Sequence, residues 1–122
     1  MFLLNKKQTG DYYEQQACRY LERQGLTPID KNARFKAGEL DLVMQDKSCI
    51  VFVEVKFRKQ THFGGAAVTI SASKRQKLLK AAYLWLSQKG LSATHTEFRF
   101  DAVTFEGDAN SVNWVKNIEI EG

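Results

Sequence analysis

The stretch GELDLVMQDKSCIVFVEVKFR, residues 38–58, restricts the possible folds more than any other part of the chain. Two runs of strand-like sequence, residues 39–44 and 49–57, flank the polar QDKS, and this pattern predicts an antiparallel hairpin. Side chains alternate across a strand, so Leu40, Leu42 and Met44 share one face of the first run, and Val51, Val53 and Val55 share one face of the second. These six predict the core face. The opposite faces carry Glu39, Asp41 and Val43 on one run and Ile50, Phe52, Glu54 and Lys56 on the other. With a turn of two or four residues, facing residues have numbers of odd sum and Asp41 stands opposite Phe52 or Glu54; a three-residue turn without a bulge reverses the parity.

The remaining segments supply what such a hairpin needs to pack against. In TGDYYEQQACRYLERQG, Tyr13, Ala17, Tyr20 and Leu21 recur at helical spacing, with Thr9 or Asp11 as candidate cap and Gly25 as terminator. A short strand is expected over 26–32, with a turn near 36–38. After the hairpin, RKQTHFGGAAVT at 58–69 reads as a mobile loop, given freedom by Gly64 and Gly65. A second helix is expected from Ser71 or Ser73 to Lys89. It turns Leu78, Leu79, Ala82, Trp85 and Leu86 inward and its lysines and arginines largely outward, and Gly90 ends it. EFRFDAVTF at 97–105 alternates as a strand, and 112–120 reads as a weaker last one. A helix between two strands favours a parallel, right-handed crossover, hence a mixed sheet with helices packed on it.

A chain of 122 residues fits one domain spanning 1–122, and 43% hydrophobic with 26% charged residues gives no compositional basis for disorder. No apolar run is long enough for a membrane span and the start MFLLNKKQTG has no signal-peptide pattern, so the expected location is cytoplasmic, away from membranes. Cys18 and Cys49 lack metal-ligand spacing and read as reduced packing residues, and the isolated His62 and His95 read as surface or packing residues. The formal charge of +4 permits a polyanionic partner without demanding one.

Against that positive total, one hairpin face gathers three acids around a single lysine. Like charges facing each other across strands destabilise, and burial adds a desolvation penalty to each carboxylate. Two readings follow from the residues. Either this is an exposed hairpin face with weak ion pairs, or Mg²⁺ resolves the repulsion, since it takes oxygen ligands and commonly one or two carboxylates.

GELDLV, followed after a short turn by VFVEVKFR, resembles the bacterial YraN family, which looks like the restriction-endonuclease-like, PD-(D/E)XK nucleases and especially the archaeal Holliday-junction resolvases. The likeness includes GDYYEQQACRYL at 10–21, NAR at 32–34, Lys74, and RFDAV at 99–103. It implies an α/β fold with an αβββαβ core, in which helices flank a mixed central sheet. It further implies a Mg²⁺-dependent endonuclease, Mn²⁺ being an alternative ion, that hydrolyses phosphodiester bonds in branched or structured DNA. Asp41, Glu54 and Glu14 would be metal ligands and Lys56 the catalytic lysine. Leu40 departs from the pattern by occupying the place of the motif's proline, which carries no metal chemistry. Glu39 stays open, as an acid supporting the ligands or a strand-end surface residue.

Lys74, Arg75, Arg58 and Lys59 are candidate contacts to nucleic-acid phosphates, against the alternative of an ordinary solvated basic face. Phe63 could stack on a base or fold back on the core. No base-reading element is evident, so recognition by shape is expected. The rival to the enzyme is a non-catalytic nucleic-acid-binding or adaptor protein that keeps the same hairpin. A homodimer, as in resolvases, would enlarge the surface offered to DNA.

Overall fold

The computed structural model of the protein describes residues 4–59 and 70–119. The elements run α1 (Lys6–Arg23), β1 (Thr27–Phe35), β2 (Gly38–Asp46), β3 (Cys49–Arg58), α2 (Ala72–Gln88), β4 (Phe98–Glu106) and β5 (Val112–Val115). One sheet holds the strands in the order β1-β2-β3-β4-β5, antiparallel except for the β3/β4 pair on either side of α2. The order is the expected αβββαβ with one further strand, and the parallel crossover falls where a helix separates two strands. The expected loop, with His62, Phe63, Gly64 and Gly65, lies outside the described residues beyond Lys59.

α1 begins earlier than Thr9 or Asp11. Asn5 caps it through a reciprocal pair: the Gln8 amide donates to Asn5 Oδ1 at 2.8 Å and the Asn5 amide to Gln8 Oε1 at 3.1 Å. Thr9 and Asp11 therefore lie inside the helix, with Asp11 accepting from Lys7 Nζ at 3.0 Å. At the other end Gly25, at φ +101°, takes the left-handed conformation that lets the chain leave the helix. α2 starts at the Ser71 cap, whose hydroxyl accepts from the Lys74 amide.

β1 extends past the expected Asn32 because Ala33, Arg34 and Phe35 pair with Leu40, Glu39 and Gly38. β5 is shorter than expected. After it Asn117 adopts φ 55°, its amide donates to Asp101 Oδ1, and the Ile118 amide donates to the Phe100 carbonyl, so these bonds leave the strand ladder. The β2/β3 connection is the two-residue Lys47–Ser48 turn, and the register from Asp46↔Cys49 to Leu42↔Val53 has odd sums, as a short turn requires.

Both sheet faces are buried, a departure from the single predicted core face. Tyr13, Ala17 and Leu21 of α1 pack on Leu42, Met44, Val51, Val53, Val103 and Phe105. Ala82, Trp85 and Leu86 of α2 cover Leu40, Val43, Ile50, Phe52 and Phe100 on the other side. A strand covered on both faces needs apolar residues at every position, which explains the unbroken CIVFV opening of β3. Leu40 is corrected by this arrangement: it joins the α2 side whereas Leu42 stays with α1, because strict alternation is lost where the β2/β3 register ends. Ala81 rather than Leu79 completes the fully buried side of α2.

Two polar ties fix the layers. Trp85 Nε1 donates to Asp30 Oδ2 at 2.9 Å, anchoring α2 to the irregular part of β1. Asp101, fully buried, accepts from Arg99, Trp114 Nε1 and the Asn117 amide, while Arg99 also reaches Asp46 at 3.0 Å. That network joins β4, β5 and the hairpin turn. Cys18 and Cys49 are free thiols, and His95 is an exposed residue bonded to Ser92 and Thr94, in keeping with the bland roles expected for them.

Candidate metal centre

The polar site forms where β2 and β3 stop pairing. Asp41 lies one residue beyond the Leu42↔Val53 pair, and its Oδ2 accepts the Val55 amide at 2.9 Å. The side chain thus takes a hydrogen bond that a continued ladder would have given to backbone. This fixes the carboxylate between the strands and satisfies a donor that burial would otherwise orphan. Glu54, the neighbour of Val55 on β3, is only 8% exposed. Its Oε1 stands 3.4 Å from Lys74 Nζ, whereas its buried Oε2 has no hydrogen-bond partner among the described residues. A carboxylate oxygen without donor or cation in such a place costs several kcal/mol as a rough scale.

α1 brings the third acid. Tyr13 is buried and stacked on Phe57 at 4.1 Å with rings 10° from parallel, which sets the helix over the end of β3. Glu14, the next residue, then reaches Asp41. Carboxylate oxygens of Glu14, Glu39 and Asp41 all lie within 4.8 Å of one another. With its amide nitrogen turned toward the acids, Asn32 donates to Glu14 Oε1 and to Glu39 Oε1, each at 3.0 Å. Arg34 Nε approaches Glu39 at 3.9 Å, too long for a tight hydrogen bond.

Three carboxylates thus gather around Asp41, with Glu14 and Glu39 clustered on it and Glu54 beside it, and proton affinities respond: Glu14 and Glu54 each interact with Asp41. Burial, then the charges of Asp41, Glu39 and Asp11, push Glu14 up to about 7. Burial and the Asp41 charge push Glu54 to about 7 as well, despite the opposing effects of Lys74 and Lys56. Asp41 is raised by desolvation against the Val55 hydrogen bond and the Lys74 charge, and it lies within proton-sharing reach of both glutamates. Without a cation the cluster holds protons near neutral pH. An all-oxygen donor set, with one buried oxygen lacking a partner among the described residues, fits a hard divalent ion of the Mg²⁺ class.

Of the three acids the resemblance points to, Glu14 and Glu54 each lie beside Asp41. Glu39, which the sequence left open, joins them. Lys56 follows Glu54 by two residues on β3, is half-buried, and contributes positive charge at Glu54. Lys74 is not simply a surface cation: it pairs with Glu54 at the site, with its own side chain about half exposed. Arg75 and Arg58 are half-buried and Lys59 is exposed, and Arg58's carbonyl accepts from Gly107 at 2.8 Å. Asn32 is the residue that sequence reasoning passed over. Its signal was its place in the NAR stretch at 32–34, quoted for the resemblance without a role; in the structure it adopts φ 50°, a conformation that asparagine tolerates better than most residues.

The sequence profile of the uncharacterised protein family UPF0102 matches residues 13–105, a span holding every acid of the cluster. A UPF0102 protein of Photobacterium profundum is 52% identical over 119 residues, covering 98% of this chain and 95% of that protein. One from Aliivibrio salmonicida is 46% identical over 118 residues, covering 97% and 96%. A third, from Vibrio campbellii, is 45% identical over 122 residues and covers both chains completely.

Proposed function

The chain belongs to the uncharacterised protein family UPF0102, the YraN group that its hairpin resembles, and from that premise we propose a metal-dependent endonuclease acting on branched or structured DNA. The observation that carries this reading is the buried Oε2 of Glu54, without a hydrogen-bond partner among the described residues, on a carboxylate beside Asp41 of the Glu14–Glu39–Asp41 cluster. Such a group is costly in a resting protein and becomes favourable beside a cation.

Asp41, Glu54 and Glu14 would hold Mg²⁺ or Mn²⁺, with Glu39 close enough to Asp41 and Glu14 to complete or support the set. A bound ion of this kind polarises a phosphoryl oxygen and makes water a better nucleophile. The chain's own residues do the rest. The Val55 amide keeps Asp41 in place, and Asn32 bridges Glu14 and Glu39 so that the acids keep a fixed spacing. Lys56 orients the attacking water and offsets charge developing on the phosphate. Water adds to phosphorus and gives up a proton to solvent, the bond to the leaving alkoxide breaks, and that alkoxide takes a proton from solvent. Lys74, Arg75, Arg58 and Lys59 contact phosphates around the scissile bond, Lys74 exchanging Glu54 for substrate as it binds.

The described helices include none long and apolar enough to cross a membrane. The proposed activity has DNA as its partner and the cytoplasm as its location, and a homodimer would offer two such sites to a branched substrate. The test compares linear, nicked, flapped and four-way DNA with Mg²⁺ or Mn²⁺, using wild type, Asp41→Ala and Lys56→Ala. Cleavage by wild type that is lost in both variants is expected. Binding with no cleavage by wild type on any substrate replaces the enzyme by an adaptor.

A further inference from the structure

A groove of about 1010 Å³ runs between α1 and β1 and opens onto the acid cluster, with Glu14 and Glu39 in its wall. Lys6 and Arg19 line it from α1, beside Glu22 and Asp11, the latter neutralised by Lys7 at 3.0 Å, and Lys31 and Arg34 line it from β1. Lys6, Arg19 and Lys31 make no ion pair among the described residues, and Arg34 has only the long approach to Glu39. These cations do not neutralise fixed acids tightly. They flank a channel leading to the place where a phosphate would react. The basic residues singled out in the sequence lie elsewhere, on α2 and the end of β3.

The groove lies between a single helix and the adjacent strand and ends at Glu39 and Leu42 of β2. The slot is comparable to the largest small-ligand pockets, roughly 300–1,000 Å³, and so takes a few linked nucleotides of a single strand. Its described lining includes no aromatic side chain, so bases have no stacking platform there and the grip is on the backbone. We propose that the α1/β1 groove holds a single-stranded segment of nucleic acid by its phosphates, independent of base sequence, and feeds it to the acid cluster. This rests on the preceding reading for the final step, and it narrows the substrate class to DNA with an unpaired flank.

Binding can be measured apart from cleavage. Fluorescence anisotropy with a short oligodeoxythymidylate, in EDTA at low salt, is compared for wild type, Arg19→Ala/Lys31→Ala in the groove and Lys77→Ala/Lys80→Ala on α2. All four residues are at the surface, and thermal melts verify folding. The groove variant is expected to lose about tenfold in affinity, equal to about 1.4 kcal/mol. Its salt slope should fall by about 1.4, as for two lost contacts at roughly 0.7 each on a single strand. The α2 variant should stay within about twofold of wild type, and duplex of equal length should compete poorly. Undiminished affinity in the groove variant, equal competition by duplex, or no binding by wild type each overturns the proposal. Single-strand binding lost in the groove variant, with no cleavage under Mg²⁺, would instead retain the groove and remove the hydrolase.

Discussion

At Glu54 the conflict between stability and function is most local. Its folded-state affinity for a proton is raised to about 7, above the usual carboxylate value near 4.5. The folded protein therefore binds this proton more tightly than the unfolded chain. No penalty exists below about pH 4.5; it grows as pH rises toward 7 and stays constant above. Taken alone, the shift amounts to about 3 kcal/mol. Metal-free wild type should accordingly lose stability relative to Glu54→Gln between pH 5 and pH 8, as urea titrations in EDTA would measure. A flat difference between the two proteins across that range would contradict the raised affinity. Divalent ions should restore wild-type stability at pH 8 and release protons on binding, seen as calorimetric heats that vary with the buffer's ionisation enthalpy. Neither effect is expected in Asp41→Ala.

Elements deliver these residues to one another, and their docking tolerates little. A Cβ built on Gly38, at the head of β2, would stand 3.3 Å from the Lys77 Cβ and 3.4 Å from its carbonyl oxygen. Those atoms belong to the helix backbone or sit beside it, so relief requires moving α2 rather than rotating a side chain. Gly38→Ala should cost about 1 kcal/mol in chemical denaturation. It should also lengthen the Lys74 to Glu54 contact, an effect absent from a distant helix variant of equal stability. α1 depends on its start in a similar way. Asn5→Ala removes the acceptor of the capping box and should cost about 1 kcal/mol, measurable by thermal melting, with Thr9 unable to replace it from inside the helix.

Across the whole molecule, two apolar layers enclose the sheet, and Asp101 is the buried polar group that ties its far strands together. Asp101→Asn keeps the size but leaves Arg99 with Asp46 as its remaining carboxylate partner among the described residues, and replaces one acceptor oxygen by a donor. A loss of about 3 kcal/mol is expected, accompanied by a change in Trp114 fluorescence as its indole loses Asp101. By itself the sequence determined the order of elements, because periodicity, turn residues and helix terminators act within a few residues: the hairpin at 38–58, the crossover helix and RFDAV all follow from local pattern. It also marked Asp41, Glu54 and Lys56, since charges inside strand-like sequence are costly. It did not reveal that Val43, Ile50 and Phe52 are covered, that Leu40 changes side, or that Glu39 and Asn32 join Glu14. Those depend on a helix docked on each face and on the place where two strands part, distances between segments far apart in the chain that only tertiary packing sets.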